Sequence, residues 1–321
     1  MEGGGEDLGG RQYGEVTRFL LTAYYLLLTL LMRNKRTLIV TGDDFGLSSG
    51  VNQAIIKAHQ EGILTSASLM VTGRAFEEAV GLARANPGLS MGLHIVLLQG
   101  RSVLSHEKIP HLVDPDGNFP NNSFLAGMRY FFSKKAQLEL RSELRAQLER
   151  FFSTGLRLDF LSGHLNIHVH PTVFGILVEL AQEFGTRTLR LPREELLLNL
   201  KADSSRPFSK LFHYLTFHLL SHHCKKVLTK KGFLFPDSVY GLLQYGDMNA
   251  SYMRHLLGNL PRGVTEIYFH PCILPCQEFT RWMPDYHPTE ELGVLTSSNV
   301  KELIETNSIQ LADYSALSTI S

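Results

Sequence analysis

Apolar and polar residues alternate along this chain in a regular succession of short β-rich runs and amphipathic stretches. "TLIVT" (37–41) reads as a strand. "SGVNQAIIKAHQEG" (49–62) then carries apolar residues three and four apart, the spacing of a helix, with Ser49 as its expected cap and Gly62 as its stop. "TSASLMV" (65–71) is the next strand, "AFEEAVGLARANPG" (75–88) the next helix and "SMGLHIVL" (90–97) the third strand. Residues 100–122 are crowded with turn formers and read as a long loop of the kind that serves a site. A long helix over 134–152 is expected on the outside, with Leu and Phe interspersed among its charges. Strand "RLDFLSG" (157–163), helix "TVFGILVELAQEFG" (172–185), strand "TRTLRLP" (186–192) and strand "GVTEIYFHP" (263–271) continue the series. Repeated strand–helix units predict an α/β fold with a parallel sheet or barrel, in one domain over 37–321 that carries a helical insertion at about 205–235.

The first 36 residues break this pattern. "FLLTAYYLLLTLLM" (19–32) is uncharged but short of the roughly 20 residues a membrane span needs. It lacks the basic front and small-residue cleavage site of a signal peptide. A peripheral anchor, an ordinary packed helix and an extension from a start placed too early are the three readings, and the third is favoured because Met32 precedes the first strand closely.

Composition narrows the partners. The chain has 321 residues, 44% of them hydrophobic, enough to bury a sizeable core. Its 31 basic and 31 acidic side chains cancel, so nothing draws it globally to nucleic acid. Three cysteines, Cys224, Cys272 and Cys276, form no disulfide framework and fit a reducing, cytoplasmic setting. The pair Cys272 and Cys276 lacks a second pair to complete a zinc site.

The candidate chemistry sits at strand ends. Asp43 and Asp44 follow the first strand, His94 lies near the end of the third, His164 follows "RLDFLSG", Arg190 ends "TRTLR" and His270 follows "EIYF". In parallel α/β folds the carboxyl ends of strands share one face, where catalysis collects. Two adjacent carboxylates repel each other, and a divalent metal relieves that repulsion: one carboxylate with two imidazoles leaves positions open for water and substrate. Asp44 then ligates while Asp43 stays free to accept a proton. Against this, an Asp at a strand-to-helix turn often only caps the helix, and a single His such as His94 often only satisfies the core. "GHLNIHVHP" (163–171) shifts the balance, since His164, His168 and His170 share one face if the segment is extended.

The successive segments "LIVTGDDFGLSSGVNQAIIKAHQEGILTSASLMVTG", "GLHIVL", "SGHLNIHVHP", "EIYFHP" and "GVLTSSNVKELIE" resemble, in order, the motifs of the YdjC-type carbohydrate deacetylases, from about residue 37 to about 312. The resemblance implies a distorted (β/α) barrel of parallel strands with its site at the C-terminal strand ends, and hydrolytic removal of acetyl from an N-acetylated sugar with one divalent ion, Mg2+ or Zn2+. It implies Asp44, His94 and His164 as metal ligands, Asp43 as general base and His270 as acid. Arg190 is expected to orient Asp43 through a charge-assisted hydrogen bond, although Arg187 and Arg193 flank it and no spacing rule separates the three. Many members read Asp-Ser-His-x-His-Val-His where this chain has Ser162 through His168, so Ser162 and Asn166 replace an acidic and an imidazole group. "GLHIVLLQGRSVL", "RYFFSKKAQLELRSELRAQLERF" and "LRLPREELLLNL" are most similar to the hopanoid biosynthesis-associated branch, which implies an N-acetylglucosamine head on a hopanoid lipid. The mixture of Leu, Phe, Tyr, His and Lys in 207–233 suits peripheral contact with a membrane. A soluble chitooligosaccharide as substrate, another metal hydrolase acting on a phosphoester or cyclic amide, and a non-catalytic metal or sugar binder are the alternatives.

Overall fold

The computed structural model describes residues 35–320, so the expectations for the apolar N-terminal run lie outside the described residues. The elements are β1 (Arg36–Phe45), α1 (Ser49–Glu61), β2 (Ser66–Leu69), α2 (Phe76–Ala85), β3 (Ser90–Ile95), α3 (Ser123–Phe132), α4 (Lys134–Phe152), β4 (Phe160–Gly163) and a 3-10 turn at His164–Val169. They continue with α5 (Pro171–Glu183), α6 (Leu196–Ala202), α7 (Pro207–Lys230), β5 (Ser238–Tyr240), α8 (Ala250–Gly258), β6 (Gly263–Phe269), α9 (Gln277–Trp282), α10 (Pro288–Thr296), α11 (Ser298–Thr306), β7 (Ile309–Ala312) and α12 (Ala316–Ile320).

All named strands pair in parallel, in the order β4-β3-β2-β1-β6-β5, and β7 lies against the first half of β1 on the side that β2 takes further along. The extended segment 187–193 reaches both edges of this order. The Leu161 amide of β4 donates to the Thr188 carbonyl and the Arg190 amide to the Leu161 carbonyl, and the Val239 amide of β5 donates to the Arg193 carbonyl. The sheet thus curls into the expected distorted barrel with helices outside. "TRTLRLP" makes only single bridges, to Leu161 and Leu234, rather than a regular strand. β1 forms the centre because both its flanks are paired and Leu38, Ile39 and Val40 are fully buried, each worth about 1.5–3 kcal/mol of burial.

Local chemistry accounts for most boundaries. Ser48, not Ser49, caps α1: its hydroxyl accepts from the Val51 amide at 3.3 Å. Asn122 and Ser133 cap α3 and α4 in the same way, so the long loop after β3 ends in a short helix that periodicity alone did not reveal. Glu143 on α4 accepts from the Val103 and Leu104 amides at 2.8 and 3.0 Å and pins that loop to the barrel. Among the described residues no helix is long and apolar enough to cross a membrane.

The turn that closes β1 is held by a near-contact of backbones. Asn52 accepts from the Gly46 amide at 2.7 Å, and the Ala75 amide donates to the Gly46 carbonyl at 2.9 Å. A Cβ built on Gly73 would lie 2.0 Å from that carbonyl oxygen. Gly73→Ala is therefore expected to lower stability by about 1–3 kcal/mol in urea unfolding, and an unchanged midpoint would show that the turn yields freely.

Candidate metal centre

Both carboxylates prove to lie inside β1 rather than after it, and a β-bulge between Gly42 and Phe45 separates their directions. Asp44 takes the left-handed region, φ 62°, a conformation that Asp tolerates better than bulkier residues. Asp43 consequently turns to one partner and Asp44 to another.

Asp43 receives Arg190, whose Nη1 donates to Oδ2 at 2.6 Å and whose Nη2 donates to Oδ1 at 2.9 Å. The same guanidinium donates to Glu266 through Nε at 3.1 Å and Nη2 at 2.7 Å, and its carbon lies 4.5 Å from the centre of the Tyr268 ring. Arg190 is 1% exposed, Asp43 2% and Glu266 0%. Burial by itself would raise the Asp43 carboxyl, but the charge and hydrogen bonds of Arg190 together with the nearby rings of His94 and His270 outweigh it and keep the group below its ordinary value. Glu266 is completed by Thr41 Oγ1 at 2.7 Å and the Tyr314 hydroxyl at 2.5 Å. Of the three arginines in 187–193, the structure selects Arg190; Arg193 instead donates to the Asp237 carbonyl.

Asp44 faces two imidazoles. Its Oδ1 lies 3.3 Å from His94 Nε2 and 3.1 Å from His164 Nδ1, and the candidate ligand atoms of the three residues all lie within 4.8 Å of one another. Their positions follow from register: His94 pairs with Ser162 across β3 and β4, and His164 begins the turn after β4. His94 Nδ1 lies 2.8 Å from Ser162 Oγ, which is 2.5 Å from Ser68 Oγ. Ser162 thus fills the orienting position behind a ligating ring without bringing a charge.

These residues fit a divalent cation. Asp44 Oδ2 is buried and has no hydrogen-bond partner. Burial alone would raise its carboxyl, yet the rings of His164 and His94 outweigh it and hold the group well below the usual range. The buried carboxylates of Asp43, Asp44 and Glu266 carry more negative charge than the Arg190 guanidinium offsets, which favours a doubly charged cation beside them. The donor set of one carboxylate oxygen and two imidazole nitrogens is that of open catalytic sites.

His270 follows β6, one residue beyond the pairing of Gly42 with Phe269, and so comes level with Asp43. Its amide donates to Glu291 Oε2 at 2.6 Å, and its ring packs edge-on to Tyr268 and Tyr286 at 5.7 and 5.4 Å between centroids. Burial lowers the ring below the ordinary histidine value against the pull of Asp44 and Asp43.

The histidine cluster does not share a face as an extended segment would. Leu165 and Asn166 both adopt positive φ, 54° and 53°, and wind 164–169 into a turn. His168 points away from the centre and lies 3.0 Å by Nε2 from the Arg190 carbonyl; burial lowers it to about 3, which keeps it neutral and structural. His170 Nε2 lies 3.1 Å from the Gly127 carbonyl of α3. Cys272 and Cys276 are buried free thiols, and among the described residues the Asp44, His94 and His164 group is the metal-competent cluster found. Glu266 went unnoticed in the sequence, although a lone carboxylate inside the apolar run "GVTEIYF" is itself a signal.

The family model for YdjC-like protein matches residues 37–306. The chain belongs to the YdjC-like family. A Brevibacillus brevis relative named carbohydrate deacetylase is 34% identical over 283 residues, 87% of this chain and 99% of its own. One from Vibrio cholerae with the same name is 30% identical and covers 87% of this chain and 95% of its own. The crystal structure of an Enterococcus faecalis V583 protein proposed to act in cellobiose-phosphate cleavage superposes with a TM-score of 0.69 at 27% identity, over 88% of this chain and 99% of that one. The match runs from β1 through α11, stopping short of β7, and includes every strand end that contributes to the centre.

Arg190 neutralises two buried carboxylates at once. Arg190→Gln is expected to lose roughly 3–5 kcal/mol of stability in denaturant unfolding, since it strands Asp43 and Glu266. A loss below about 1 kcal/mol would show that the two carboxylates find other partners.

Proposed function

We propose that the protein is a divalent-metal-dependent hydrolase that removes the acetyl group from an N-acetylated sugar. The observation that carries this reading is the division of labour between adjacent carboxylates: Asp44 faces two imidazoles with a free oxygen, while Asp43 is held ionised by Arg190. The relatives named carbohydrate deacetylase favour the amide of an acetylated sugar over other hydrolysable bonds.

Asp44, His94 and His164 would hold the ion, which when bound supplies Lewis-acid polarisation of the acetyl carbonyl and counter-charge for the oxyanion. Asp43 accepts a proton from the attacking water, its bidentate clamp on Arg190 fixing the carboxylate plane. His270, once protonated, donates a proton to the departing sugar nitrogen, without which an amide anion would have to leave. Water and amide go in, acetate and amine come out, and both proton transfers fall to side chains of this chain. The sugar is proposed to be N-acetylglucosamine on a hopanoid lipid, following the likeness of segments 92–104, 129–151 and 189–200 to that branch, which brings the protein to the membrane periphery.

Acetate release after addition of Zn2+ or Mg2+ tests the reading, with N-acetylglucosaminyl hopanoid in detergent set beside a soluble N-acetylglucosamine oligomer. Asp43→Asn and His270→Ala are expected to lower kcat by about 10²–10⁴-fold with calorimetric metal binding retained, whereas Asp44→Asn and His164→Ala lose binding too. Release from the oligomer alone would keep the deacetylase and remove the lipid. Wild-type turnover in Asp43→Asn would exclude it as the base.

A further inference from the structure

Two helices on the site's face carry their apolar residues outward. On α7 the exposed positions Phe208, Leu211, Phe212, Leu215 and Leu219 recur at helical spacing and form one stripe, while the buried face includes Lys210, Ser221 and Cys224. Phe208, Phe212 and Leu219 are 69–86% exposed. On α3, Phe124, Leu125, Met128, Phe131 and Phe132 form a second stripe, with Phe124, Leu125 and Phe132 61–73% exposed. This orientation is opposite to that of a helix packed on a core, and patches of this kind mark interaction surfaces.

Both stripes border the catalytic mouth. The turn that begins at His164 is flanked by both helices: His170, just past it, lies 3.1 Å by Nε2 from the Gly127 carbonyl of α3, and the Cys224 thiol of α7 donates to the Val169 carbonyl at 3.9 Å. On the opposite side, rings connect α7 to His270 through His213, Tyr245 and Tyr286, at centroid separations of 5.6, 6.1 and 5.4 Å. Leu165 on the turn, and Ile273 and Leu274 beyond β6, add exposed apolar groups to the same rim.

Charge identifies the occupant. The chain as a whole is electrically balanced, yet neither 122–135 nor 204–235 contains an Asp or Glu. The first carries Arg129, Lys134 and Lys135. The second carries Lys225, Lys226 and Lys230, which with Arg193, His218 and His222 line a groove of about 520 Å³. A second copy of this chain would bring two stretches of like, basic charge together, whereas anionic lipid complements the basic groups and accepts the apolar stripes.

We infer that α3 and α7 form a docking surface for an anionic bilayer, which sets the mouth of the site against the membrane. The inference rests on the proposed lipid-linked substrate for its purpose, and on the two stripes and their charge for its existence.

The test is sedimentation of the full chain with vesicles of phosphatidylcholine alone or with phosphatidylglycerol added. Binding at least tenfold tighter to the anionic vesicles, weakening as salt rises, is expected. The pairs Phe208→Ser with Phe212→Ser, and Phe124→Ser with Phe132→Ser, should each weaken it tenfold or more, while circular dichroism and turnover of detergent-dispersed substrate match wild type. Acetate release that fails in detergent would overturn the proposed reaction and leave vesicle binding as a separate result. Wild-type protein left in the supernatant with both vesicles, substituted pairs that bind like wild type, or a concentration-dependent dimer broken by the same pairs would each overturn the docking surface.

Discussion

Two carboxylates on consecutive residues at the buried end of a central strand impose the constraint on which the site depends. Both are almost wholly buried, and unpaired charge in such a place is costly enough that each must have its own counter-charge. The bulge in β1 and the left-handed backbone of Asp44 solve this by aiming the two side chains apart. Arg190 takes Asp43, and the two imidazoles with the free oxygen of Asp44 define a cation position. Separate neighbours leave Asp43 ion-paired and Asp44 facing the imidazoles, the division on which their proposed roles as base and ligand rest.

The supporting residues come from all around the barrel, which explains why the centre needs the closed arrangement. Glu266 and Tyr268 stand on β6, Tyr314 follows β7, Arg190 belongs to the segment that joins the sheet edges, and Ser162 lies on β4. Glu266 shares Arg190 with Asp43 and limits how far the guanidinium can move toward either. His168, neutral and buried, fixes the Arg190 backbone from behind. A displaced 187–193 segment would therefore disturb Asp43 before it disturbed Asp44, His94 or His164.

Much of this was legible in the sequence because strand ends in parallel α/β folds converge: Asp43, Asp44, His94, His164, Arg190 and His270 all reach one face. What was not legible depended on backbone detail. The roles of His168 and His170 turned on two positive φ values at Leu165 and Asn166, for which no glycine gave warning. The choice among three nearby arginines depended on which side chain points inward where the ladder is broken into single bridges. The short helix α3 was hidden by a stripe that faces outward, since periodicity shows that a stripe exists and not which way it faces.

Anomalous X-ray diffraction from crystals of the Zn2+-loaded protein tests the division of the two carboxylates most directly. One peak is expected, about 2.0–2.2 Å from Asp44, His94 Nε2 and His164 Nδ1, with Asp43 still paired to Arg190. A peak that bridges Asp43 and Asp44, or one seated at Cys272 and Cys276, would contradict it.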